Sequence, residues 1–299
     1  MPRTIGLLAN PAAGGGRGVR HLEAVVRRLR AGGAEVRVLQ GTSAVDSTRL
    51  ARELMASGPG ALVALGGDGI VHLAVQAVAG TGVPLGIIPS GTGNDIAREF
   101  GLPLRDPVAA AEVVLSGRRA RYDLGRCGDQ HFASVLACGL DSKVNERANR
   151  MRRLRGRAKY VAALFAELPR FRPVPFTLEL DGVVTETEAA LVAVGNTGMY
   201  GAGMRICPGA RPDDGMFEVV VVAPASKARL LRTFPKVYGG GHVTMPEVTC
   251  MQARQVRIAA PDLIAYADGE PLGPLPVECS VRPGAIEVLV PRDAAAPAA

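Results

Sequence analysis

The chain has 299 residues, more than one small domain needs and enough for two. Hydrophobic residues make up 47% of it, which allows sizeable cores, yet no apolar run approaches the ~20 residues of a membrane-spanning helix. Net charge is +7, but ten Lys or Arg against two Glu fall between Lys143 and Arg172; that segment carries +8 and the rest of the chain sums to −1. One basic segment beside Tyr160, Phe165 and Phe171 argues against nucleic acid, which takes a spread basic face or a recognisable binding motif. It fits an anionic lipid surface, where each basic residue is worth ~1 kcal/mol, or a solvated helix face; on the first reading Leu154, Tyr160, Leu164 and Phe165 share one side of a helix while Arg152, Arg153, Arg155 and Arg157 reach phosphates. The five cysteines form no Cys-x-x-Cys pair, so neither a disulfide framework nor a zinc site is indicated. The opening Met1–Ala9 is too short for a signal-peptide core, and the expectation is a cytoplasmic protein associated peripherally with membranes.

The first part alternates strands and helices, as a doubly wound α/β sheet requires. Residues 4–9 are an apolar run, hence a strand buried on both faces. A glycine-rich loop, Asn10 to Gly18, follows. Arg20–Arg30 is a helix, with Leu22, Val25, Val26 and Leu29 on one face. Glu35–Leu39 is a strand, and Ser47–Ala56 a helix with Ser47 as its cap. Ala61–Leu65 is the third strand, ending at Gly66-Gly67-Asp68-Gly69, and Ile70–Val78 the next helix. Pro84–Ile88 is the fourth strand, ending at Ser90-Gly91-Thr92-Gly93-Asn94-Asp95. Asp106–Leu115 is a further helix. After Gly125 short β-rich runs dominate: His131–Ala137, Phe176–Leu180, Ala189–Val194, Phe217–Val222, Gln255–Ala259, Val277–Val281 and Ile286–Val290. They predict an antiparallel sandwich, interrupted by helical insertions at Ser142–Leu168 and Lys227–Tyr238. The expected division is an α/β nucleotide-binding domain over 1–125, a β-sandwich substrate domain over 126–292 and a tail over 293–299.

Three glycine-rich loops, Asn10–Gly18, Gly66–Gly69 and Ser90–Asp95, each follow a strand at the same sheet edge. Glycine lets a backbone approach a phosphate closely, and the helix N-terminus behind it offers free N–H groups. Ligands of open α/β sheets sit at the carboxyl ends of the strands, so three such loops describe a nucleotide-phosphate cradle. No Walker A pattern is present.

With these motifs the chain resembles the diacylglycerol kinase catalytic superfamily, which includes bacterial soluble lipid kinases and sphingosine kinases. The resemblance rests on Asn10-Pro11 with Gly14, on Gly66-Gly67-Asp68-Gly69, and on the run from Pro89 to Arg98. Gly195-Asn196 with Tyr200-Gly201-Ala202-Gly203-Met204, Cys207-Pro208 with Ala210, Pro212-Asp213-Asp214-Gly215 and Asp268-Gly269-Glu270-Pro271 complete it. It implies an ATP-dependent lipid kinase, with diacylglycerol as default acceptor and a sphingoid base or another lipid alcohol as alternatives. A non-catalytic nucleotide- or lipid-binding module is the reading from another class. The resemblance places Asn10, Pro11, Ala12, Ala13, Gly14, Thr42, Gly66, Gly67, Asp68, Gly69 and Thr92 around ATP. It makes Glu270 the general base, and Asp68 either a base or an organiser of nucleotide and Mg²⁺. Asp214, with the carbonyls of Arg211 and Met216, would hold a structural Mg²⁺. The implied partners are ATP, a lipid and an anionic membrane surface, with a homodimer left open. From spacing alone, Asp268-Gly269-Glu270 and Asp213-Asp214-Gly215 read as turns, and Asp68 as a helix cap. The chain departs from the family pattern at Ile70, where Thr is usual, and at His72-Leu73-Ala74-Val75-Gln76 in place of Asn-Glu-Val-x-Asn. The cradle itself needs only the glycines.

Overall fold

The computed structural model describes residues 4–9, 17–151, 154 and 157–293. The chain forms two compact units, one of residues 1–124 and 283–299 and one of residues 125–282.

In the first unit, β1 (Thr4–Ala9), β2 (Glu35–Leu39), β3 (Ala61–Gly66) and β4 (Leu85–Pro89) form a parallel sheet in the order β2-β1-β3-β4. β3 and β4 are buried at every position because helices cover both faces, which is why they read as unbroken apolar runs. Helices α1 (Arg17–Ala31), α2 (Ala44–Ala56), α3 (Asp68–Val78), α4 (Asp95–Glu99) and α5 (Pro107–Ser116) alternate with them. One core joins Ile5, Leu7, Val63 and Ile88 to Val25 and Leu29 of α1 and Ala110, Ala111 and Val114 of α5. The cap of α2 is Ser43, whose side chain accepts from the Asp46 N–H; Ser47, expected in that place, is buried inside the helix. α4 is not among the predicted elements, because four of its five residues belong to the motif that runs from Pro89 to Arg98.

The second unit contains β5 (Arg118–Cys127) from Gly125 onward, β6 (Gln130–Phe132), β7 (Val135–Gly139), α6 (Leu140–Arg150) and α7 (Arg157–Glu167). There follow β8 (Val174–Leu180), β9 (Val183–Ala189), β10 (Leu191–Gly195), β11 (Phe217–Val222), α8 (Lys227–Val237), β12 (Val248–Ala253), β13 (Gln255–Ala259), β14 (Ile264–Ala267) and β15 (Glu270–Pro274). One antiparallel sheet runs β12-β11-β10-β7-β14-β15. The other is built on β13, paired with β8 and with the first part of β16 (Val277–Val290), and β9 is paired with β8. Alternate residues divide between two environments, as the two-residue period of a strand dictates. Val192 and Val194 of β10 join the sandwich core with Phe132, Phe176 and Phe217, while Ala193 turns the other way to Ile206 and Cys207. α6, α7 and α8 share a smaller cluster of Leu140, Val144, Leu164 and Leu168 with Leu230 and Phe234.

Three expectations are corrected here. The insertion expected as one helical stretch over Ser142–Leu168 is two helices, α6 and α7. Val277–Val281 and Ile286–Val290 are one strand, and its end belongs to the first unit: Val288 pairs in parallel with Leu85 of β4, so residues 283–292 do not stay with the sandwich. The apolar residues of the basic segment do not share a face. Tyr160 and Leu164 pack into the helix cluster, whereas Leu154 and Phe165 are exposed. Arg152, Arg153, Arg155 and the side chain of Arg157 lie outside the described residues.

Candidate active site

The carboxyl ends of β2, β3 and β4 deliver Thr42, Gly66 and Ser90 to one edge of the parallel sheet. β1 has β2 on one side and β3 on the other, so the chain reverses direction across it; such a switch point is where open α/β sheets bind ligands. Asn10, Pro11, Ala12, Ala13 and Gly14, expected at the end of β1, lie outside the described residues.

The second and third glycine loops are joined backbone to backbone. The Ser90 N–H donates to the Gly66 carbonyl at 2.8 Å. A Cβ placed on Gly91 would stand 2.5 Å from the Gly67 Cα, and one on Gly67 would stand 3.2 Å from the Gly91 Cα. No side chain separates the loops, so glycine is a steric requirement at Gly91 and a close fit at Gly67. The third loop then closes on itself. Asn94, in the left-handed region at φ 55°, accepts from the Gly91 N–H at 3.0 Å and donates to the Gly91 carbonyl at 3.2 Å. Arg98 pairs with buried Asp95 at 2.8 Å and reaches the Gly93 carbonyl. Thr92 is exposed at the tip. Thr42 is also exposed, and both its N–H and its hydroxyl donate to Asp46.

Asp68 is the first residue of α3, but its carboxylate faces the start of α4, accepting from the Ile96 N–H at 3.3 Å. It caps the second helix along the edge rather than its own. Burial, and then the nearby charge of Asp95, raise its pKa to about 6, while the N–H groups of residues 94–96 oppose the rise. Gly69 is exposed in the first turn of α3. Ile70 is buried, 3.2 Å from where a Cβ on Gly66 would stand, so the departure from Thr puts a packing side chain behind the loop.

In the second unit Glu270 opens β15 from the turn Asp268-Gly269 and is exposed. That turn is held firmly. Buried Asp268 accepts from the Ala133 N–H, the Ser134 N–H and the Ser134 hydroxyl at 3.0, 2.7 and 2.7 Å. Asn145 and Asn149 of α6 both donate to the Gly269 carbonyl. Asp214 lies in the exposed turn before β11 and accepts from the Met216 N–H at 2.9 Å, while Arg211 pairs with neighbouring Asp213. Among the described residues no group of three or more His, Cys, Asp or Glu could hold a metal. The donors around Asp214, one exposed carboxylate with main-chain carbonyls beside it, are all oxygen, which suits a hard cation that keeps its waters.

Sequence reasoning missed an apolar chamber of about 110 Å³ between α6, α7, α8 and the β10–β12 sheet, walled by residues such as Leu140, Leu164, Met204 and Phe234. Its polar wall is Asp141, which accepts from the Tyr200 hydroxyl at 2.7 Å, and buried His242, whose Nε2 meets the Ile206 carbonyl. Burial raises the Asp141 carboxyl to about 6 against that hydrogen bond. Tyr200 carried a signal, lying within a family motif; Asp141 and His242 had none.

The comparisons with known proteins divide the chain near the same point, although the second match also takes in residues 283–290 of the first unit. Residues 4–127 match the family described as "Diacylglycerol kinase catalytic domain", and residues 134–290 the "YegS C-terminal NAD kinase beta sandwich-like domain". A diacylglycerol kinase of Mycobacterium tuberculosis is 44% identical over 95% of this chain and 94% of its own length. One of Bacillus subtilis is 28% identical over 97% of each. The chain belongs to the diacylglycerol kinase family. Among solved structures, a diacylglycerol kinase from Bacillus anthracis superposes with a TM-score of 0.76 at 23% identity, over 97% of both chains. An NAD kinase from Archaeoglobus fulgidus, crystallised with ATP, superposes with a TM-score of 0.53 at 14% identity, over 96% of this chain and 93% of its own. At these identities the likeness is one of fold.

Proposed function

We propose that this kinase transfers the γ-phosphoryl group of ATP to the hydroxyl of a membrane lipid, converting diacylglycerol to phosphatidic acid. The observation that carries the reading is the Gly67–Gly91 apposition. It presents two glycine loops as one rigid rim at the carboxyl edge of a parallel sheet, open to a phosphate chain. Phosphoryl transfer asks a protein chiefly for positioning, charge neutralisation and a carboxylate near the attacking hydroxyl. In this reading Gly66, Gly67, Gly69, Thr92 and Thr42 border the nucleotide, together with Asn10–Gly14. Glu270, exposed on a rigid turn, accepts the proton of the lipid hydroxyl. Asp68 keeps the rim in register and, with its pKa near 6, is poised to exchange a proton at working pH. Mg²⁺, when bound, would neutralise phosphate charge, and Asp214 with the carbonyls of Arg211 and Met216 would hold a second ion.

The lipid part is supported by the relatives' names and by the apolar chamber of the second unit, whose lining suits hydrocarbon and whose Asp141–Tyr200 wall suits a polar group. A sphingoid base or another lipid alcohol is the alternative acceptor. The protein works in the cytoplasm against an anionic membrane surface, to which the basic segment Lys143–Arg172 holds it; no helix among the described residues is long and apolar enough to cross a membrane. Binding to anionic vesicles that survives high salt would refute that attachment.

The test is to incubate the protein with γ-labelled ATP, Mg²⁺ and a total lipid extract and to identify the labelled product. Labelled phosphatidic acid is expected. Asp68→Ala and Glu270→Gln should each abolish it, the latter without loss of thermal stability. If no lipid is labelled, the reading fails.

A further inference from the structure

The buried hydroxyl of Ser90 connects elements that the chain keeps far apart. Ser90 begins the third glycine loop, and its N–H is already committed to the Gly66 carbonyl of the second. Its Oγ lies 2.9 Å from Nδ1 of His21. His21 stands on α1, the helix that begins at Arg17, within the last residues of the first glycine-rich segment. One residue therefore ties the second loop through its backbone and α1 through its side chain. We propose that His21 is a positioning residue: through Ser90 it locks α1 to the paired glycine loops, and so sets the spacing of the rim that receives the nucleotide. This inference rests on the nucleotide reading above.

The chemistry of the pair suits a permanent link. A hydroxyl both donates and accepts, so Ser90 can serve either tautomer of the imidazole by rotating its O–H bond. Without a partner the Ser90 oxygen would be a buried polar atom left unsatisfied, and the loop would shift to reach water. Such a shift matters because the rim's donors must be in place before the ligand arrives; ordering them on binding lowers affinity. His21 touches no reacting atom in this scheme. Its effect appears in how tightly ATP is held, not in the use of the lipid.

The geometry also names its rescue. Asn places a hydrogen-bonding atom as far from Cβ as Nδ1 of histidine does, whereas Gln places one at the distance of Nε2. The experiment compares wild type with His21→Ala, His21→Asn, His21→Gln, Ser90→Ala and the double variant His21→Ala/Ser90→Ala. ATP affinity is measured by calorimetry, the KM for ATP and for lipid by turnover, and the loops by amide hydrogen exchange at residues 66–69 and 91–94. Losing one hydrogen bond of this kind should weaken ATP binding about tenfold and leave the lipid KM unchanged. His21→Asn should recover most of the loss and His21→Gln should not. The double variant should be no worse than either single one, because both remove the same link. Exchange at the two loops should quicken in His21→Ala and return to normal in His21→Asn. Unchanged exchange and ATP affinity in His21→Ala overturn the inference, as does additivity in the double variant. Wild-type protein that binds no ATP overturns the nucleotide reading, and with it the role assigned to the rim; that outcome is distinguishable, because it leaves the exchange differences among the variants standing.

Discussion

Replacing Gly91 by Ala tests whether the two glycine loops form one rim. The added Cβ would lie 2.5 Å from the Gly67 Cα, 3.2 Å from the Gly67 N and 2.8 Å from the Asn94 Oδ1. Real Cβ contacts are not that short. Two of the three obstructing atoms are backbone, so no side chain can swing aside. Either the loops part, or the Asn94 hydrogen bonds that close the third loop are broken. Overpacking of this kind costs about 1–3 kcal/mol. At about 2–4 °C per kcal/mol for a chain segment of this size, melting should fall by roughly 2–12 °C. Gly67→Ala is the graded control. Its Cβ would lie 3.2 Å from the Gly91 Cα, which a displacement of a few tenths of an ångström relieves. The expected order of melting temperature is wild type, Gly67→Ala, Gly91→Ala, and ATP affinity measured by calorimetry should follow the same order. A Gly91→Ala protein with wild-type melting and wild-type ATP affinity would show that the loops are not held in contact, and would remove the basis for the nucleotide rim.

Three more outcomes follow from particular side chains. Asp268→Ala strands the buried N–H groups of Ala133 and Ser134 and puts alanine at φ 54°, so it should cost roughly 3 kcal/mol in denaturant unfolding. Asp268→Asn, which tolerates that backbone and keeps an acceptor, should lose clearly less; equal losses would refute the hydrogen-bond account. The Asp141 carboxyl, raised from 3.8 to about 6, favours the folded state when protonated. That advantage is complete below pH 3.8 and is lost as pH rises through 6, amounting to roughly 3 kcal/mol. Asp141→Asn stays neutral, so wild-type stability should fall relative to this variant between pH 4 and pH 7, and parallel pH profiles would contradict the assignment. Mg²⁺ should raise the melting temperature of wild type but not of Asp214→Asn; an equal rise in both would place the ion elsewhere.

Several elements were readable from sequence because their burial is periodic. Glu35–Leu39, Phe217–Val222 and Gln255–Ala259 have the bounds their apolar patterns predict. The parallel strands β3 and β4 announce themselves as apolar runs ending in glycine, and those endings delivered the loops at the candidate site. Strands with little buried surface carried no such pattern. β9 reads Val-Val-Thr-Glu-Thr-Glu-Ala and is exposed along most of its length, while β15 contains two prolines and a glycine, and both were missed. β5 was missed because arginines occupy its solvent-facing positions.

What the sequence by itself determined was therefore the local chemistry: which segments alternate, where glycine must stand, and which carboxylates and basic residues the chain carries. Only the tertiary structure decided which of them meet. Asp68 caps a helix that begins 27 residues later, Ser90 takes its partner 69 residues upstream, and residues 283–290 return to a sheet built from the first 90 residues. Asp141, Tyr200 and His242, scattered over 102 positions, share one chamber. The reason is physical. Periodicity reports what a residue's immediate neighbours bury, whereas a hydrogen bond between distant residues forms only once packing has removed the water that would otherwise satisfy both groups.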